Sequence, residues 1–201
     1  VGDAGTVESD GRALMRPLTI AFPAWLGAFA DRTRVYGSDE ERMRLAIDLS
    51  RENVLRTTGG PFGAAVFESE SGRLVSVGVN LVVGLGNSVL HAEVVALMVA
   101  ERTVGSYTLG GESMPRHDLV TSCDPCAMCL GAALWSGVRR IVAGAMREDA
   151  VAFGFDEGPV FDESYRYLER RGVRVLRGVL REEARGALEL YGSRGGVPYN
   201  G

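Results

Sequence analysis

Cysteine placement limits the fold more than any other feature of this 201-residue chain: all three cysteines, Cys123, Cys126 and Cys129, fall within one stretch of seven residues. An odd number packed this tightly makes a poor disulfide framework, so the fold must rest on an apolar core. With 46% apolar and 24% charged residues, the chain reads as one soluble globular domain long enough to bury such a core. The thiols then become candidates for metal ligation in a reducing compartment, and a cytoplasmic location is the expectation. No apolar run approaches about 18 residues, so no transmembrane helix is expected.

Periodicity orders the elements. Asp39–Arg56 reads as a helix that Ser38 can cap, with Met43, Ala46, Ile47, Ser50 and Val54 at helical spacing. Phe62–Glu68 and Arg73–Val83 read as strands joined by a hairpin turn at Ser69–Gly72, and Gly84–Ser88 as a loop. His91–Arg102 reads as a buried helix, Asp118–Thr121 as a short strand, and Cys126–Ser136 as a helix with Pro125 at its mouth. Val138–Ala143 is a continuous apolar strand, as in a sheet covered on both faces. Ala150–Phe153 and Glu163–Arg171 read as helices, Val173–Val179 as a strand and Arg181–Tyr191 as a final helix. This alternation predicts an α/β domain with a mostly parallel sheet after an initial hairpin. Residues 1–16 are expected to form a mobile tail, 17–38 an extension packed on the core, 39–190 the main domain, and 191–201 a C-terminal tail.

Chemistry concentrates in His91-Ala92-Glu93 and Pro125-Cys126-Ala127-Met128-Cys129. Cys126 and Cys129, three apart in a first helical turn, project from one face, and the positive helix end favours thiolates. With His91 as third ligand, one imidazole and two thiolates give a neutral Zn²⁺ site, one ion per chain, whose fourth position takes water or hydroxide. Glu93 is the natural proton shuttle, although residues two apart on a helix do not share a face, so it requires an unusual first turn. Two other readings remain: a closed structural site with Cys123 as fourth ligand, and a Cys-x-x-Cys redox pair.

The His-x-Glu and Pro-Cys-x-x-Cys pair is a signature of zinc deaminases. Together with Gly59-Gly60-Pro61-Phe62-Gly63-Ala64, Asn80, Thr121-Ser122-Cys123-Asp124, Met128-Cys129-Leu130-Gly131-Ala132 and Gly154-Phe155-Asp156, it resembles the cytidine deaminase superfamily, and within it the guanine deaminase branch. The resemblance spans about residues 40–165. It implies a three-layer α/β/α sandwich with a five-stranded mixed sheet (the cytidine deaminase-like fold), a homodimer, and no metal-ligand role at Cys123. It also implies ring contacts from Phe62, Asn80, Trp135 and the Ala92 backbone, with Asp156 in the substrate region. Asn80 suits a ring edge, since its amide both donates and accepts, and the aromatics offer flat apolar faces.

Two departures bear on substrate. The family usually places Asp-Pro-Thr before His-Ala-Glu, where this chain has Ser88-Val89-Leu90 at the expected pocket mouth, and Glu157 stands where the guanine branch often has a second Asp. The ending Tyr191–Gly201 reads as a flexible flap, with Tyr199 and Asn200 the residues expected to close the site.

Release of ammonia from the exocyclic amine of a free nucleobase or related heterocycle, guanine-like favoured, is therefore the leading expectation, with a nucleoside (guanosine, cytidine or adenosine) as the alternative. A net charge of −4 gives no case for a long polyanion, so nucleic acid is not an expected partner. A tRNA adenosine deaminase would need a basic face. Arg166–Arg185 is the only candidate stretch, and it also carries Glu169, Glu182 and Glu183. A non-catalytic zinc module is the remaining class.

Overall fold

The computed structural model describes residues 19–199; the expected N-terminal tail and Asn200 lie outside them. A short turn of helix, α1 (Leu26–Phe29), leads into α2 (Asp39–Leu55). The Ser38 hydroxyl accepts from the Glu41 amide at 3.2 Å, and Asp39, Glu40 and Glu41 in the first turn suit the positive helix end. Strands β1 (Gly63–Glu68) and β2 (Leu74–Val79) form the hairpin. A single helical turn, α3 (Val82–Leu85), precedes α4 (Ala92–Val104). Then follow β3 (His117–Cys123), α5 (Ala127–Ser136), β4 (Arg140–Ala145), α6 (Arg147–Ala152), α7 (Asp162–Arg170), β5 (Arg174–Leu176) and α8 (Arg181–Ser193).

The five strands form one sheet in the order β2-β1-β3-β4-β5. β1 is antiparallel to both β2 and β3, while β3, β4 and β5 run parallel, so the sheet is mixed. Alternation along the central strands divides the core in two. Ala65, Phe67, Val120 and Val142 face a layer that includes Met43, Ile47 and Leu49 of α2 and Leu188 of α8. Ala64, Val66, Leu119 and Ile141 face Ala96 and Leu97 of α4, Leu130 and Ala133 of α5, and Leu168 of α7. This is the three-layer α/β/α sandwich. Leu26 is buried in the first layer, and Ile20, Trp25 and Phe29 pack against it, as expected of the extension.

Several boundaries depart from the sequence reading: α6 starts at Arg147 rather than Ala150, β3 extends to Cys123, and two others bear on the site. β2 ends at Val79 although apolar residues continue to Val83. The Asn80 side-chain oxygen accepts the Val82 amide at 3.2 Å and turns the chain into α3. The last helix runs through Tyr191 to Ser193, so the C-terminal tail begins later than expected.

One glycine sets the height of the site. A Cβ at Gly78 would collide with the Ala92 carbonyl and the Ala96 amide, so its absence lets the start of α4 lie directly on β2.

Candidate active site

The metal-ligand set forms where α4 and α5 begin, at the ends of β2 and β3. His91 and Cys126 both precede their helices in extended conformation (φ −67°, ψ 155° and φ −65°, ψ 173°), and Cys129 lies in the first turn of α5. Cys126 is thus the residue before the helix rather than within it. The same displacement settles Glu93: because His91 stands outside α4, the rule separating residues two apart on a helix does not apply to the pair. The Cys126 and Cys129 sulfurs lie 3.5 and 3.6 Å from His91 Nδ1. One ligand atom from each of the three residues falls within 4.8 Å of the others, a donor set that fits zinc with one coordination position left over.

Electrostatics prepare these donors. A hydrogen bond from Cys129, aided by His91 against the cost of burial, lowers the Cys126 thiol to about 4, and it is a thiolate at neutral pH. Burial works against a charged His91, but the Cys126 bond and the Glu93 charge outweigh it and raise the imidazole. Cys123, buried at the end of β3, has its thiol pushed far up, chiefly by burial. It is absent from the cluster of donors.

Against this set sits a cavity of about 30 Å³ lined by Phe62, His91, Glu93, Asp124, Cys126, Phe155, Asp156, Glu157 and Tyr199. That volume holds water but no heterocycle. Glu93 is 6% exposed, and burial followed by the Cys126 charge raises its carboxyl. Glu157, 7% exposed, is pushed up to about 8 by burial and then by the Cys126 and Glu93 charges. Phe155 meets Phe62 and Tyr199 edge-on at centroid separations of 5.0 and 5.4 Å. Tyr199 lies over Gly60, where any Cβ would strike its hydroxyl. Tyr199 Oη and Asn80 Nδ2 are both buried, and neither makes a hydrogen bond of good geometry to a protein group. Asn53, reaching from α2, donates at 2.8 Å to both the Gly60 and Asn80 carbonyls and fixes the backbone under this pair.

Of the residues expected to touch substrate, Phe62, Asp156, Glu157 and Tyr199 line the cavity. Asn80 borders it through Tyr199, and Ala92 is buried between His91 and Glu93. Trp135 is the exception. It is 82% exposed on the outer side of α5 and does not line the cavity of its own chain. A run of small residues gives α5 no apolar stripe by which the sequence could tell inside from outside. Of Ser88-Val89-Leu90, Leu90 is buried in the core, and Ser88 borders an outer groove shared with His91 and Cys126. Asp124 and Phe155 line the cavity unpredicted, although both stand in blocks already quoted. Asn53 carried no sequence signal.

Known proteins agree with this geometry. Residues 37–145 match the cytidine and deoxycytidylate deaminase zinc-binding region. Guanine deaminase of Bacillus subtilis is 33% identical over 143 residues, 71% of this chain and 87% of that protein. A tRNA-specific adenosine deaminase of Haemophilus influenzae is 29% identical over 153 residues, 76% and 82% of the two chains. The solved guanine deaminase from Nitrosomonas europaea is 40% identical with a TM-score of 0.85, covering 90% of this chain and 100% of that one. A solved relative in complex with 8-azaguanine is also 40% identical, with a TM-score of 0.84 and coverage of 89% and 97%. The chain belongs to the cytidine and deoxycytidylate deaminase family and is a zinc-dependent, guanine deaminase-like nucleobase deaminase.

Proposed function

We propose that the chain converts a free purine base, guanine foremost, and water into the oxo product and ammonia. The observation that carries this reading is the polar pair that Tyr199 and Asn80 place beside the metal-ligand set. Tyr199 covers the donor set closely, and its hydroxyl and the Asn80 amide, buried against each other, have no further partner of good geometry. A flat heterocycle with an acceptor on its edge satisfies the Asn80 amide once Tyr199 lifts, and Tyr199 closing back over the bound base leaves little room for a ribose. The solved relative bound to 8-azaguanine supports the same ligand class.

Held by His91, Cys126 and Cys129, zinc supplies an electrophilic centre that makes water nucleophilic near neutral pH. The protein residues do the rest. Glu93 takes a proton from the attacking water and hands it on toward the departing amine, so the C–N bond breaks as a C=O bond forms. Glu157, which lines the cavity, offers its carboxyl to the ring for hydrogen bonding. Phe62 and Phe155 hold the ring plane and exclude bulk water.

Ammonia release by zinc-loaded protein against guanine, guanosine, cytosine, cytidine, adenine, adenosine and an amino-triazine tests the reading, with Glu93→Ala as control. Guanine should turn over fastest, and Glu93→Ala should lose about 10²- to 10⁴-fold at unchanged zinc content. Faster turnover of a nucleoside would overturn the base assignment, and parental activity in Glu93→Ala would overturn the shuttle.

Two copies pair, in this reading, through the outer side of α5. Trp135 and Met128 are exposed there, and Met98 on the neighbouring α4 extends the apolar area.

A further inference from the structure

Cys126 and Glu157 belong to different loops, and their separation decides whether Glu157 meets a substrate held at the zinc ligands. Ala127, the first residue of α5, donates its amide to the Glu157 carbonyl at 3.0 Å. On the other side of the site, Arg147 reaches both loops at once. Its backbone amide donates to Asp124 Oδ2 at 3.0 Å, two residues before Cys126. Its guanidinium donates to the Gly158 carbonyl at 3.2 Å and the Val160 carbonyl at 2.9 Å, just beyond Glu157. Asp124 is itself 3% exposed and held by a fork of hydrogen bonds from Arg177. Arg177 in turn lies over the Tyr165 ring, 4.7 Å from its centroid. These bonds close a ring from Asp124 through Cys126 and Ala127 to Glu157, Gly158 and back to Arg147.

We infer that Arg147 is a positioning residue for the deamination: its guanidinium holds the 157–160 loop so that the Glu157 carboxyl faces the substrate beside the zinc ligands. Among the described residues no other side chain donates to the Gly158 and Val160 carbonyls, and the Val160 amide also donates to the Gly158 carbonyl at 2.9 Å. Loss of the guanidinium leaves the loop to the Ala127 bond and its own turn bonds, the Val160 amide to the Gly158 carbonyl and the Gly158 amide to Asp156 Oδ1. The backbone bond to Asp124 does not depend on the side chain, so the zinc-ligand loop stays in place. The inference rests on a role for Glu157 in holding the base.

The test is a double-mutant cycle in zinc-loaded full-length protein: parent, Arg147→Met, Glu157→Gln and the pair, with Arg147→Lys as the conservative variant. Four readouts apply: kcat and KM for guanine, the Kd of 8-azaguanine, zinc per chain and Tm. The 8-azaguanine Kd needs no turnover, so the cycle closes even where Glu157→Gln is nearly inactive. Arg147→Met should lower kcat/KM about tenfold or more with zinc content held, and Arg147→Lys should recover part of the loss. On the Glu157→Gln background, Arg147→Met should cost less than about twofold in either readout. Losses that multiply across the cycle would overturn the inference, as would parental kcat/KM in Arg147→Met while Glu157→Gln is impaired. A fall in Tm alone, with kinetics and Kd unchanged, would reduce Arg147 to a structural residue and overturn it as well. Parental behaviour of Glu157→Gln would instead remove the role of Glu157 on which the inference stands.

Discussion

Glu157 holds its proton to about pH 8, against an ordinary value of 4.5, because burial and then the neighbouring Cys126 and Glu93 charges oppose its ionisation. Folding therefore takes up a proton at this carboxyl between those two values, and the stability it contributes declines as pH rises across that window. Cys126 has the opposite sign. Its thiol is lowered from 9.0 to about 4, so its contribution grows as pH rises over much of the same range. The overall profile of the metal-free protein thus mixes the two, and a difference between variants isolates one. Urea unfolding of metal-free parent and Glu157→Gln, compared from about pH 5 to 8, should show the parent losing stability relative to the variant as pH rises. Parallel profiles would mean that Glu157 ionises near its ordinary value.

The C-terminal segment after α8 is the element whose reading changed most. Its glycines and prolines suggested a loose flap, yet the helix continues to Ser193 and the chain then turns back to lay Tyr199 against Phe155 and Gly60. With Tyr199 in place the cavity beside Glu93 is too small for a base, although a groove of about 370 Å³ along His91, Cys126, Glu157 and Tyr199 adjoins it. In the proposed function this segment lifts as substrate enters. Truncation after Arg194 should raise KM for guanine about tenfold or more and narrow the preference for guanine over guanosine. Unchanged discrimination would show that the sugar is rejected elsewhere. The other elements were legible where their signals are local. Ser38 capping, the hairpin turn and the apolar run of β4 located α2, β1, β2 and β4 within a few residues. β5 proved shorter than read, because Gly178 (φ 77°) breaks the extended run soon after Leu176. The ligands His91, Cys126 and Cys129 were legible because metal chemistry demands those residue types at that spacing. Asn53 and Arg147 were not, because each acts through backbone carbonyls, and carbonyls carry no residue identity.

Across the whole molecule, the arginine-rich stretch that might have faced RNA is largely engaged with acids of the same chain. Arg166 and Arg170 pair with Glu163, Arg177 with Asp124, Arg181 with Asp149, and Arg185 with Glu189. Trp135 and Met128 stand exposed on α5, and pairing of two copies there would bury them. Sedimentation should find the parent as a dimer, and Trp135→Glu should weaken association by about tenfold or more. A parent that sediments as a monomer would leave Trp135 without that role. The placement of the metal ligands has one further effect. His91 lies 35 and 38 residues from the two cysteines, and between them the chain must complete α4 and insert β3 beside β1. A copy in which β3 has not docked offers at most the Cys126 and Cys129 pair, so the complete three-donor set exists only on the finished core.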